Sequence, residues 1–549
     1  MTIGLCWPPR DWRRRHALTR TLMAVHGNAM SVIRFKRDDL ALFAAASRDH
    51  NPLHQSVVYA RRTAFGEPVV FGMLAVLAAI SRSRFLAGHL LANLAFNFRK
   101  PMFCDVDYEL NLSESKPGQV KVSLQDAGQL VLTGRFGYQP GEAAQNATWF
   151  SPDDPHLAPA RRLASDLTTA MTVSGRYGPV REEFAELLNR WQLADKGMTP
   201  AQIAVLLWCS YLIGMHLPGE GALFSHVQVR FEPGNDCDDL PLSYRAQVSE
   251  FDPRFNVVHI DAVLERGPLV CARANLSSFL RFEAPRLALD LLAQQLPSCS
   301  ALTGKTALVI GGSRGLGAAI VAALVSQGCH VLLSYQFSSE QANALQQQLR
   351  ASSGQITMVQ GDASNAAWCR QLRREMTERG ETLDILVCNA SPAIRELGFA
   401  LESVDRLRAF VDRSMALISI PIAGFRDWLE ARGGKAVLIS SAIAAPEALD
   451  DPANWRRGLA AEFPQYVAAK YATEGLLKAL AAQITRTQFL IVRPPRLLTD
   501  QTNTVTGRQG AIGVEGVAAK IVKRLCEPDS AGILDFTDSD VETSPSVLS

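Results

Sequence analysis

From Thr306 onward the chain alternates short β-rich runs with stretches of helical length. The runs are "TALVI", "HVLLSY", "ITMVQ", "DILVCNA", "KAVLIS", "FLIVR" and "GILDF". That rhythm predicts a doubly wound parallel sheet. The region before it reads differently, because apolar helical runs are followed by long strand-like segments, and this happens twice. Both copies place a Gly-Met pair (Gly72-Met73, Gly214-Met215) at the end of an apolar run, then a strand ending in Phe, a Pro-marked turn and alternating strands. An internal duplication is therefore expected. The Pro- and Asp-rich "QPGEAAQNATWFSPDDPHLAP" separates the two copies, and "LPSCSALTG" leads into the sheet region. These breaks suggest a flexible tail over residues 1–30, a first half over 31–145, a degenerate second half over 146–298 and a sheet domain over 299–549.

Composition narrows the class. A chain of 549 residues is too long for one hydrophobic core. With 47% apolar and 20% charged residues it is globular, and a net charge of +2 makes no electrostatic case for nucleic acid. The ten cysteines form no CxxC pair and no Cys/His cluster at zinc spacing, which favours reduced thiols, no metal and a cytoplasmic location. The longest apolar run, Val69 to Ile80, is flanked by Glu67 and Arg82 and falls short of the roughly 18 to 20 residues that span a bilayer, so no membrane partner is expected. The first 29 residues hold five arginines but no apolar core of a secretory signal.

Candidate chemistry concentrates in two places. The first is "SRDHNPLHQS" at 47–56, ahead of "VVFGMLAVLAAI". An Asp and a His a few positions apart, with a proline fixing the turn between them, can point into one cleft and act as an acid/base pair. Removing water across a carbon–carbon bond needs such a pair together with an N–H for the enolate-like oxygen. The amide of Gly72, at the start of the apolar helix, is placed to be that donor. The residues Asp49, Asn51 and His54 in "DHNPLH", followed by "FGEPVVFGM", resemble the D-x-N-P-x-H and H-G-M signature of MaoC-like (R)-specific enoyl-CoA hydratases, a family of hot-dog folds. The resemblance extends over about residues 31–290 if the second half is included. It implies that Asp49 and His54 are the catalytic pair, that Asn51 orients water or substrate, and that Gly72 is the oxyanion donor. Arg48 stands where the family has Gly, and Phe71 where it has His. The second half lacks the motif and is expected to supply walls for the acyl chain; His216 and Glu220 in "GMHLPGE" are the alternative of a second site.

The second place is "TALVIGGSRGLGAAIVAAL". Its glycines Gly311, Gly315 and Gly317 lie between a strand and a helix, where backbone amides can approach a pyrophosphate, with Ser313 and Arg314 in the same turn. Asp362, Asn389 in "CNAS", Ser441 in "ISSA", and Tyr466 and Lys470 in "YVAAK" follow in order. The set resembles the short-chain dehydrogenase/reductase family over about residues 302–540. The resemblance implies that Ser441 binds the substrate oxygen, that Tyr466 donates the proton, that Lys470 lowers the tyrosine pKa and holds the nicotinamide ribose, and that Thr499 in "RPPRLLT" lies near the carboxamide. Ser414 falls where the family has its active-site Asn, and "PEALDDPANWRRGLAAEF" is expected to form a flap. No acidic residue follows the second strand in "LLSYQFSS", and Arg314 can pair a 2′-phosphate, so NADP(H) is the expected cofactor.

The expected fold is an α+β double hot-dog followed by an α/β doubly wound sheet of the Rossmann type. The expected activity is reduction of a 3-ketoacyl thioester and dehydration of the resulting 3-hydroxyacyl thioester, with acyl carrier protein or CoA bearing the substrate. The alternatives are hydration followed by oxidation, as in β-oxidation, or a reductase fused to a carrier-binding scaffold. A homo-oligomer through the reductase domain is allowed by the resemblance.

Overall fold

The computed structural model describes residues 31–83, 88–141, 158–193, 196–232, 241–445 and 462–536. The expected tail, most of the linker between the halves, and all but the last two residues of the expected flap lie outside them.

Ten strands in the N-terminal part form one antiparallel sheet. They are β1 (Ser31–Arg34), β2 (His89–Phe98), β3 (Asp107–Lys116), β4 (Gln119–Asp126), β5 (Gln129–Pro140), β6 (Thr172–Tyr177), β7 (Ala222–Phe231), β8 (Leu242–Asp252), β9 (Val257–Arg266) and β10 (Leu269–Leu280). Their order is β1-β3-β4-β5-β2-β7-β10-β9-β8-β6. Each half thus contributes five strands in the same sequence (first, third, fourth, fifth, second), and the halves meet at the β2–β7 pair, where Phe96 stands opposite Val227 and Asn97 opposite His226. The duplication read from the pattern is present in the topology.

Among the described residues this part has the α-helices α1 (Arg37–Ser47), α2 (Pro52–Gln55), α3 (Val57–Ala60), α4 (Gly72–Ser81), α5 (Arg181–Arg190) and α6 (Pro200–Tyr211). The helices α4 and α6 are apolar all round, as fully enclosed helices must be, and pack against each other within one hydrophobic core. Thr199 and Gln202 form a capping box at the start of α6, with Pro200 in its first turn. Beyond Tyr211 the helix widens into a π turn over Leu212–His216.

The two Gly-Met pairs are not equivalent, contrary to the sequence reading. Gly72 opens α4, whereas Gly214 lies in the turn that closes α6. Each glycine answers a separate steric demand. A Cβ on Gly72 would lie 2.7 Å from the Phe98 ring, and one on Gly214 would lie 2.3 Å from Asp49 Oδ1.

The C-terminal part is a seven-stranded parallel sheet of order β13-β12-β11-β14-β15-β16-β17. The strands are β11 (Thr306–Ile310), β12 (His330–Tyr335), β13 (Gln355–Gln360), β14 (Ile385–Cys388), β15 (Lys435–Ile439), β16 (Gln488–Arg493) and β17 (Gly532–Asp535). Helices α7 (Leu289–Gln295), α8 (Gly315–Ser326), α9 (Ser339–Gln348), α10 (Ala366–Glu378), α11 (Val404–Arg432), α12 (Pro464–Gln483) and α13 (Val514–Cys526) accompany them. Alternate residues of β11 enter separate cores on the two faces, Ala307 and Val309 in one, Leu308 and Ile310 in the other. The strand order reverses between β11 and β14, which opens a crevice at their carboxyl ends.

The two parts are docked. Arg406 makes a bidentate ion pair with Asp126 (2.8 and 2.5 Å), and Arg395 pairs with Glu67 while its guanidinium lies 3.9 Å above the Phe103 ring. Lys100 pairs with Glu396. Among the described residues seven cysteines are free and Cys271 is disulfide-bonded, against the expectation of reduced thiols. Among the described residues no helix is long and apolar enough to cross a membrane.

Candidate functional site

The segment after α1 is built from successive caps. Arg48 adopts a left-handed conformation (φ 59°) and ends α1, and Asn51 Oδ1 accepts from the Leu53 amide (3.0 Å) to start α2 with Pro52 in its first turn. Asp49 sits between them and is 1% exposed. Its Oδ2 accepts from the Ser210 hydroxyl (2.7 Å) on α6, and its Oδ1 from the Asn51 amide (3.1 Å). Burial pushes its pKa up to about 7, against the pull of these two hydrogen bonds. His54 Nδ1 lies 2.8 Å from the Val69 carbonyl oxygen. A carbonyl only accepts, so Nδ1 carries the proton and Nε2 is left as the base. Burial pulls the imidazole down to about 4, although the Val69 bond acts the other way. Its ring stacks on Phe71 at 3.9 Å. At neutral pH the site therefore holds a neutral imidazole and a carboxyl group poised to carry a proton.

Asn51 Nδ2 lies within hydrogen-bond distance of the carbonyls of Gly214, Gly219 and Glu220 (3.2, 3.2 and 3.3 Å) and ties the motif to the second half. Gly72 lies at the first turn of α4, where amides lack intrahelical partners, with the Phe98 ring packed against it. Glu220 binds Arg161 at 2.5 Å, and His216 packs edge-on to Tyr211.

In the C-terminal part a cleft of about 1610 Å³ opens at the crevice beyond β11 and β14. Gly311 and Gly315 have φ of 78° and 54°, and a Cβ on Gly317 would lie 2.0 Å from the Gly311 carbonyl oxygen, so the turn closes only with glycine. Asn389 Nδ2 donates to that same carbonyl (2.9 Å) and braces the turn. Ser313, Arg314, Asp362, Ser441, Tyr466, Lys470 and Thr499 all line the cleft; Asp49 and His54 do not. Tyr466 is hydrogen-bonded to Ser441, and burial raises its pKa despite that bond. Lys470 Nζ donates to the Ile439 carbonyl (2.9 Å) and lies 5.4 Å from the Tyr466 ring centre; burial lowers its pKa to about 8. The direction is opposite to the depression expected from Lys470, because burial dominates at the Tyr466 hydroxyl. Ser414 donates to the Phe410 carbonyl of its own helix (2.8 Å). Asp362 accepts from Ser364 (2.8 Å) and Arg413 (2.7 Å), and Arg314 donates to Asp500 (2.8 Å).

Comparison with known proteins follows the same division. Residues 305–510 match the short chain dehydrogenase family, and residues 13–115 match the MaoC like domain. The cyclic-di-GMP-binding biofilm dispersal mediator protein of Escherichia coli is 32% identical over 181 residues, 33% of this chain and 67% of the relative. A 3-oxoacyl-[acyl-carrier-protein] reductase of Synechocystis is 27% identical over 209 residues, 38% of this chain and 79% of the relative. The chain joins a MaoC-like domain to a short-chain dehydrogenase domain. Among solved structures, a short chain dehydrogenase from Burkholderia cenocepacia in complex with NADP is 26% identical and covers 43% of this chain and 97% of its own, with a TM-score of 0.37.

In these terms Ser313, Arg314, Asp362, Asn389, Ser441, Tyr466, Lys470 and Thr499 gather in one cleft, and the buried Asp49 and Asn51 share a turn with the half-buried His54 of the MaoC-like domain. Sequence reasoning missed Ser210, the hydroxyl on Asp49, and Arg281, whose guanidinium donates to Tyr59 (2.8 Å) and disfavours protonation of His54. Neither carries a local motif. It also missed that the MaoC-like domain forms part of the dehydrogenase cleft, through residues such as Arg61, Lys100 and Phe103.

Proposed function

We propose that the chain is a bifunctional ketoreductase–dehydratase, reducing a 3-ketoacyl thioester to the (R)-3-hydroxyacyl thioester and dehydrating that to the trans-2-enoyl thioester in fatty-acid or polyketide-type assembly. The observation that carries this reading is the pairing, within one chain, of Ser441, Tyr466 and Lys470 in a cleft with the buried Asp49 and the half-buried His54 in one turn. Both sets act on the same β-carbon, so the product of the first is the substrate of the second. The N-terminal part is read as a double hot-dog, with the domain limits suggested by the sequence.

The residues of the cleft fit a dinucleotide. The glycine turn leaves the first amides of α8 open toward the cleft, and Gln336 and Phe337, rather than an acid, follow β12, which favours NADP(H). When bound, that cofactor supplies the hydride. Tyr466 gives its phenolic proton to the ketone oxygen, Ser441 hydrogen-bonds the same oxygen, and Lys470, protonated below a pH of about 8, repels a proton from Tyr466 toward the substrate. In the dehydration, His54 Nε2 removes the α-proton, Asp49 protonates the departing hydroxyl, and the Gly72 amide receives the thioester oxygen as negative charge builds on it. Water leaves with the proton from Asp49, and His54 returns a proton to the pair.

A second reading is favoured by the close packing around the motif: Asn51 has its amide fully engaged, Phe71 covers His54, and Asp49 is almost wholly enclosed. In it the MaoC-like domain only binds the acyl carrier. Incubation with 3-ketoacyl-CoA or 3-ketoacyl carrier protein and NADPH, followed by product masses, separates the two. The bifunctional enzyme gains two hydrogens and then loses water, Asp49→Asn stops at the hydroxy product, and Tyr466→Phe leaves the ketone. Loss of water at an unchanged rate in Asp49→Asn refutes the assigned pair, and NADPH oxidation unchanged in Tyr466→Phe refutes the assigned proton donor.

A further inference from the structure

We infer that Arg61, a residue of the MaoC-like domain, completes the anion site that selects the 2′-phosphate of NADP(H) in the dehydrogenase domain. The inference rests on the NADP(H) reading above and adds to it a selectivity residue supplied from outside the dehydrogenase domain.

Arg61 follows α3 directly and reaches across the domain boundary into the cleft. Its guanidinium lies 4.4 Å over the ring of Phe337, the second residue beyond the end of β12. That is where a dinucleotide fold meets the adenosine ribose and where an acid reads a 2′-hydroxyl or an arginine a 2′-phosphate. Here the acid is absent. Two further guanidiniums approach Arg61, those of Arg314 and Arg413, and each has its own carboxylate: Arg314 bonds Asp500 at 2.8 Å, and Arg413 bonds Asp362 at 2.7 Å. Arg314 also donates to the Arg61 carbonyl, which ties the glycine turn to the Arg61 backbone.

Arg61 itself has no carboxylate within ion-pair distance among the described residues, and its buried Nε has no hydrogen-bond partner. Three positive groups thus meet two negative ones, and one buried donor is unanswered. An anion that answers this donor is favoured there, and an arginine fork matches phosphate oxygens. Ser338, which starts α9, is buried, lines the same cleft and makes no capping bond through its side chain. The sequence expectation gave the 2′-phosphate to Arg314; its pairing with Asp500 moves that task to Arg61.

Binding of 2′,5′-ADP, 5′-ADP, NADPH and NADH to the full chain and to Arg61→Gln, measured by calorimetry, tests this. Removal of one charge-assisted phosphate contact is expected to weaken 2′,5′-ADP and NADPH roughly tenfold to a hundredfold. The Kd values for 5′-ADP and NADH should change less than about twofold, which also shows that the variant is folded. Arg61→Lys should recover part of the loss. If the parent prefers the 2′-phosphorylated ligands and Arg61→Gln keeps that preference in full, the inference is overturned while the NADP(H) reading stands. If the parent itself binds NADH as tightly as NADPH, the NADP(H) reading fails, and the inference falls with it.

Discussion

Asp49 links the chemistry of the MaoC-like domain to its stability, and replacing it with Asn should reveal that link through pH. The carboxyl has an ordinary pKa of 3.8 and is held at about 7 in the fold because it is buried. The fold therefore binds the proton more tightly than the unfolded chain does. The corresponding stability is fully present below pH 3.8 and declines as pH rises toward about 7. A shift of about three units at about 1.4 kcal/mol each gives a decline of roughly 4 kcal/mol. Asn cannot ionise, so Asp49→Asn escapes it. The substitution has its own pH-independent cost of about 1–3 kcal/mol, because Oδ1 and Oδ2 both accept in the parent and one of them becomes an N–H donor facing either the Asn51 amide or Ser210. The variant should be less stable than the parent at pH 4 and equal or more stable at pH 8. Hydrogen exchange on peptides spanning Asp49 and Ser210 follows opening of this region without requiring the whole chain to unfold in one step. A stability difference that stays constant from pH 4 to pH 8 would refute a buried, proton-binding carboxyl.

Further consequences can be measured. With Asp49 as acid and His54 as base, kcat/KM for dehydration should fall about tenfold per pH unit above about 7 and again below about 4, and Asp49→Glu should shift the upper limb; a flat profile through pH 8 removes Asp49 as the acid. Gly214→Ala would bring a methyl group to 2.3 Å from Asp49 Oδ1, so it should cost about 1–3 kcal/mol and suppress dehydration while leaving ketone reduction within twofold. Arg406→Ala removes the bidentate contact to Asp126 between the domains and should raise proteolytic cleavage at the boundary with little change in either isolated half-reaction.

Much of this was legible in the chain. Strands β11 to β17 lie within a residue or two of the apolar runs that announce them; the inner ones are covered on both faces, which leaves little room for polar positions. The glycine turn and the Tyr466–Lys470 spacing are local, so sequence distance carries them directly. What was not legible depends on contacts between distant segments. Ser210 meets Asp49 across 161 positions, and Arg61 meets Phe337 from another domain. The Gly-Met correspondence failed because two letters cannot say which end of a helix they occupy. Asn51 was read for its chemistry, whereas three carbonyls from the other half claim its amide.

The joining of β2 to β7 carries a further consequence for edge-to-edge pairing of the N-terminal sheet. Among the described residues the long strands lie in the interior of the ten-stranded sheet, and its outer rims are β1, four residues, and β6, six residues. Short rims offer a stranger little to pair with. Were the two halves expressed separately, each would bare a ten-residue rim, and the pieces would be expected to find one another, or copies of themselves, by the same ladder.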